Sequence, residues 1–168
     1  WGQFEGANGL ADAKKSNITQ VDESGTPYAF LPAIPRSSAF PVNLPNNYFD
    51  IDQYVPSDQK TPDVTHRYYH QIMQINNGKM NKFALYNNTK GLTMGYYRTQ
   101  GLPLYPIAKK YTLCDHFFQS GFGGSYFNHV YLIAAAPAVW QNAPSSLVAE
   151  TDASGKMIKD GVVTPDGF

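Results

Sequence analysis

The sequence predicts an α/β fold, a mostly parallel sheet flanked by helices, and three observations carry that reading. Residues 92–136 run in the order strand, helix, strand, glycine turn, helix, the pattern of layered α/β folds. Proline and glycine punctuate these segments at their ends, where elements stop. A turn of three glycines, "QSGFGGS" at 119–125, falls between the second strand and the last helix, the place where open α/β sheets receive ligands.

Residues 1–62 are rich in Pro, Asn, Ser and Asp, and "AFLPAIPRSSAFPVNLPNNYFDIDQYVPSDQKTP" has a proline every few residues. Proline fixes φ and removes a donor, which disfavours long helices and central strands. Scattered aromatic and aliphatic residues argue against disorder. The segment reads as extended chain lying over a larger body, with one short helix in "GANGLADAKK".

"TPDVTHRYYHQIMQINNGKMNKFALYN" then opens with a helix-start signature, Pro62 at the entry and Asp63 or Thr65 as cap. Tyr69, Ile72 and Met73 fall near helical spacing until "NNG" breaks it. Helices are expected at about 63–76 and 79–86. "LTMGYY" (92–97) and "TLCDHFF" (112–118) are candidate strands, separated by a helix at about 103–110 that ends on Lys109 and Lys110. "SYFNHVYLIAAAPAVW" predicts a buried helix over 125–136, which Pro137 ends or kinks. The last stretch alternates short extended runs with "ASG" and "KDG" turns and reads as a hairpin.

Composition narrows the function classes. Charged residues make up 15% of the chain and the net charge is zero, so a nucleic-acid partner is not favoured. No apolar run approaches the roughly 20 residues that cross a bilayer. Cys114 is the only cysteine, which excludes an internal disulfide. The abundance of Tyr, Asn, Thr and Gly suits an exported protein, periplasmic or secreted. "NIT" at Asn17 and "NNT" at Asn87 match the glycosylation sequon.

Ser125 stands at the first turn of the predicted helix, among unpaired amide donors. Asn128 and His129, at i+3 and i+4, share its face and can reach the same anion. Serine is also among the commonest N-caps, so spacing alone leaves a plain cap open beside a nucleophile. His66, His70 and His116, each taken singly, are ordinarily structural or surface residues.

"LPLYPIAKKYTLCDHFFQSGFGGSYFNHVYLIAA" resembles the phosphoesterase family of bacterial respiratory-burst-inhibiting acid phosphatases and phospholipases C, within the alkaline phosphatase superfamily. "THRYYHQIMQINNGKMNKF" is similar to the family's upstream block, and "GANGLADA" and "VVTPDGF" look like family segments. The resemblance implies that residues 1–168 are part of a single alkaline-phosphatase-like domain. Its parts would be an extended segment (1–62), an α/β core with the nucleophile turn (63–136), and a loop with a hairpin (137–168). It assigns Ser125 as nucleophile and metal contact and His66 to the phosphoryl group, and Asn128 matches the family asparagine just past the nucleophile; the shared helix face puts Asn128 and His129 at the substrate. Asn81 stands where the family commonly has Asp. Phospholipase C members commonly carry Pro-Thr where this chain has Gly124-Ser125, a departure toward the acid-phosphatase branch.

The resemblance further implies a divalent metal ion whose other ligands lie outside this chain, so the sequence reads as an internal or truncated portion. Its partners would be a small phosphate ester or a phospholipid and the remainder of its own polypeptide, and these residues alone are expected to be inactive. The alternatives are a phospholipase C and, from another class, a secreted non-catalytic binding module on the same fold.

Overall fold

The computed structural model describes residues 1–137 and 139–161. The chain forms a mixed α/β structure of short elements in two compact units, one of residues 1–65 with 74–118, the other of residues 66–73 with the chain from Gln119 on.

In the first unit the Pro-rich segment is the source of the core, which corrects the expectation of a strip laid over a body. Leu31, Ile34, Phe40, Leu44, Phe49, Ile51 and Val55 cluster with Ala84 and Leu92. Prolines between these residues restrict the backbone and so lower the entropy lost on folding. Each apolar side chain is left to find burial by itself, without a regular period. Helix α1 (Lys15–Ile18) and strand β1 (Phe49–Asp50) are the only regular elements longer than one residue there besides a 3-10 turn at Leu10–Asp12, among the described residues. β1 pairs in parallel with β2 (Gly95–Tyr96), Phe49 opposite Gly95 and Asp50 opposite Tyr96. Arg98 Nε donates to the buried Asp50 carboxylate at 2.6 Å and secures this pair at its edge.

Side-chain amides serve where regular ladders do not. Gln20 is 0% exposed. Its Oε1 accepts from Ala84 N at 3.1 Å, at the first turn of α3 (Phe83–Tyr86), and its Nε2 donates to the carbonyls of Asn17, Ile18 and Met80. Asn87, 1% exposed, donates to Thr65 O at 2.8 Å and accepts from Thr89. The second sequon is therefore closed to a glycan. Asn81 accepts from Asn76 Nδ2 at 2.9 Å in the turn between helices, a conformational task that needs no charge.

The helix expected over 63–76 is α2 (Tyr68–Ile75). Its start is delayed because Thr65 N donates to Asn88 Oδ1 at 2.9 Å, which holds the approach to the helix outside helical geometry. The helix expected over 103–110 is α4 (Tyr105–Lys110), with Pro106 in its first turn. The strand expected over 92–97 shrinks to β2, because Lys90–Met94 forms a 3-10 turn that buries Gly91 and Leu92. The strand expected over 112–118 is absent. Among the described residues no strand pairs with it, and Phe117 and Phe118 are 85% and 77% exposed. Strand propensity expresses packing on neighbouring strands, and among the described residues none pairs with this segment.

The second unit holds the start of α2, helix α5 (Ser125–Tyr131), and a hairpin of β3 (Glu150–Thr151) with β4 (Met157–Lys159). The hairpin reading and its "ASG" turn hold, with Asp152 N donating to Lys156 O at 2.9 Å. Its final "VVTPDGF" lies outside the described residues. α5 is shorter than the buried helix expected over 125–136. Beyond Tyr131, Leu132 and Ile133 are exposed, so no burial offsets the entropy of ordering further turns. No described helix is long and apolar enough to cross a membrane.

Candidate functional site

The site lies in the second unit, where the glycine turn meets α5. Gly124 is the N-cap, with extended φ −73° and ψ 169°, and Ser125 is the first helical residue. The N-cap position is a glycine, which has no side chain to cap with, and Ser125 stands one residue inside it, so its hydroxyl faces another partner. His66 Nε2 lies 3.3 Å from Ser125 Oγ, although 59 residues separate them. Both side chains are exposed, within reach of an incoming solute. The separation suits a catalytic pair before substrate arrives, since such contacts tighten in the reacting complex. If the imidazole carries its proton on Nδ1, Nε2 is the acceptor of the serine proton.

Contact makes glycine necessary at one of two close places in this turn. A Cβ at Gly121 would run into the Phe127 ring, and one at Gly124 would stand 3.4 Å from His66 O. The second contact is tolerable, the first is not. Phe127 in turn lies edge-on to Tyr131, with ring centroids 5.0 Å apart, so the ring is held against the turn. Phe122 packs edge-on against Tyr68 at 5.5 Å, which ties the turn to the start of α2 beside His66.

Asn128 is turned back onto the glycines. Its Oδ1 accepts from Gly121 N at 3.1 Å, and its Nδ2 donates to Gly121 O at 2.9 Å and Gly124 O at 3.2 Å. His129 is exposed in the last turn of α5. The structure thus brings His66 to Ser125, commits Asn128 to the turn, and leaves His129 on the surface.

One ion-pair cluster of this unit carries no sequence signal. Arg67 pairs with Asp160, from the end of the hairpin, and His70 Nδ1 lies 3.6 Å from the same carboxylate. Burial pushes the His70 imidazole below its ordinary pKa, opposed by Asp160 and reinforced by Arg67. Arg67 and His70 are visible in "THRYYH", but nothing in the chain marks an aspartate 93 residues on as their partner. His116, in the first unit, sits 3.4 Å from Asn8 Nδ2, a surface contact.

The donors gathered at Ser125 are a hydroxyl and an imidazole, too few by themselves to fix a divalent cation. Among the described residues no three His, Cys, Asp or Glu side chains cluster as a metal site.

No curated protein and no solved structure matches the chain significantly. A family model described as the Phosphoesterase family does match, over residues 1–165. That span includes the glycine turn, Ser125 and His66, and on it the chain belongs to the phosphoesterase family.

Proposed function

We propose that the protein hydrolyses small phosphoric esters through Ser125, with His66 as the proton partner of its hydroxyl. Family membership supports phosphoric-ester hydrolysis as the class of reaction. The single observation that carries the residue assignment is the 3.3 Å approach of His66 Nε2 to an uncapped, exposed Ser125 Oγ.

In the proposed reaction His66 takes the hydroxyl proton as Ser125 Oγ bonds to phosphorus. The ester oxygen departs on the opposite side of phosphorus and is protonated from solvent. Water then attacks the phosphoserine, releases inorganic phosphate, and restores the serine hydroxyl. An in-line displacement places the leaving oxygen away from Oγ, so His66 serves the nucleophile's side. Divalent-metal assistance stays part of the proposal, with ligands that the cluster at Ser125 does not itself contain. So does an alkaline-phosphatase-like, mostly parallel sheet, for which the β1–β2 pair is the support. Gly124-Ser125 in place of Pro-Thr supports a phosphomonoester over a phospholipid substrate.

The test is steady-state hydrolysis of p-nitrophenyl phosphate and of phosphatidylcholine by the full-length protein, with and without chelator. Ser125→Ala is expected to abolish phosphate release, and His66→Gln to lower it about 10²–10⁴-fold, the usual contribution of a positioned base. Because Ser125 makes no cap bond, Ser125→Ala should shift stability by no more than about 0.5 kcal/mol. Near-normal turnover in Ser125→Ala would remove the nucleophile assignment. Turnover of phosphatidylcholine alone would make the protein a phospholipase C, and no turnover of either ester by the wild type would leave the binding module.

A further inference from the structure

We propose that Asn128 is a positioning residue: its side-chain amide sets the shape of the 121–124 turn and, through it, the placement of the Ser125 hydroxyl. The inference rests on the nucleophile reading of Ser125 and adds to it the device that holds the nucleophile in place.

A turn with three glycines in four residues has wide conformational freedom, and each glycine loses more entropy on ordering than any other residue. Something must fix it if Ser125 is to keep one position. Regular structure does not, because 121–124 belongs to no strand. Among the described residues, its one main-chain to main-chain bond is from Asn128 N to Gly124 O, long at 3.4 Å. The Asn128 side chain replaces the missing ladder. With Gly121 it makes the two-point exchange that a neighbouring strand would make, accepting from Gly121 N at 3.1 Å and donating to Gly121 O at 2.9 Å. Its second amide hydrogen reaches Gly124 O at 3.2 Å, so one side chain ties the first glycine of the turn to the residue that precedes the nucleophile. Phe127, one residue earlier on α5, closes on Gly121 where only glycine fits.

The chemistry requires an amide at this position. An aspartate has the same shape but only acceptors, so it would face two carbonyl oxygens with a carboxylate and add negative charge near the serine. Alanine would leave the Gly121 peptide to water. Both amide hydrogens of Asn128 are engaged with the turn, so on this proposal its part is to hold the turn rather than to bind a phosphoryl oxygen.

The experiment compares Asn128→Ala and the isosteric Asn128→Asp with the wild type. Two readouts are taken, amide hydrogen exchange along 119–131, and kcat together with competitive inhibition by inorganic phosphate. Exchange at Gly121 should rise about 10-fold in both variants, the loss of roughly one net hydrogen bond, while amides of the first unit's core keep their protection. Values of kcat should fall about 10²-fold, as misplacement of a reacting group does, with Ki for phosphate within about twofold. If Ala proves too unstable, Asp reads the same exchange in a side chain of unchanged volume.

Unchanged exchange at Gly121 overturns the proposal, and so does raised exchange with full kcat. A rise in Ki that accounts for the whole loss also overturns it and makes Asn128 a substrate ligand. Turnover surviving in Ser125→Ala would instead strike the nucleophile reading, with the exchange data still deciding whether Asn128 holds the turn.

Discussion

Ser125 and His66 show how far single residues could be read from the chain. The serine is conspicuous because three glycines precede it, and His66 because its surroundings resemble a family block. That they meet at 3.3 Å is a property of the packed unit, in which Phe122 on Tyr68 brings the turn to the start of α2. The glycines themselves do different work from what their number suggests. Gly121 is demanded by contact with the Phe127 ring rather than by its backbone angles. Gly121→Ala is accordingly expected to destabilise the protein by about 1–3 kcal/mol, the cost of overfilling a packed site. Urea denaturation checks this, and Phe127→Ala in the same background should recover part of the loss. A Gly121→Ala protein as stable as the wild type would mean that the ring can move aside freely.

At the level of elements, the helices and the last hairpin were legible and the strands of the expected parallel sheet were not. α2 and α4 lie inside the spans expected for them because their apolar spacing and proline entries are local signals. The strands expected at 92–97 and 112–118 depend on partners that a local reading cannot see. One shrank to two residues against β1, and the other does not form. In their place, buried amides join the elements. Gln20 is the clearest case, since it links the chain after α1 to the first turn of α3. Gln20→Ala would leave Ala84 N and several carbonyls without partners in a fully buried site. The expected loss is about 1–3 kcal/mol, the cost of one unsatisfied buried group, measured by chemical denaturation. A loss below about 0.5 kcal/mol would show that water takes over these bonds.

For the whole molecule, stability should depend on pH through His70. Burial lowers its pKa in the native state, while Asp160 opposes and Arg67 adds to the shift. The unfolded chain therefore takes up the proton first as pH falls. The stabilisation linked to neutral His70 is complete above the unfolded value, about 6.5, and is lost as pH falls from there through the lowered native value. Urea midpoints are expected to drop between about pH 7.5 and pH 5, and to drop less in His70→Gln. Parallel pH profiles for the two proteins would show that burial of His70 carries no such linkage.

What the sequence by itself determined is whatever local chemistry settles. It showed the family, the helix-forming spans, the glycine turn with its serine, the short hairpin, and the lack of long helices in the proline-divided first 62 residues. What only the tertiary structure decided is which distant groups share a space. It moved the core into the Pro-rich first 62 residues, because burial there depends on contacts between side chains far apart in sequence and follows no period. It placed His66 on Ser125, Asp160 on Arg67, and the Asn128 amide on the glycines. Hydrogen bonds and ion pairs act over a few ångströms, and chain separation carries no information about which groups come within that range until the backbone has folded.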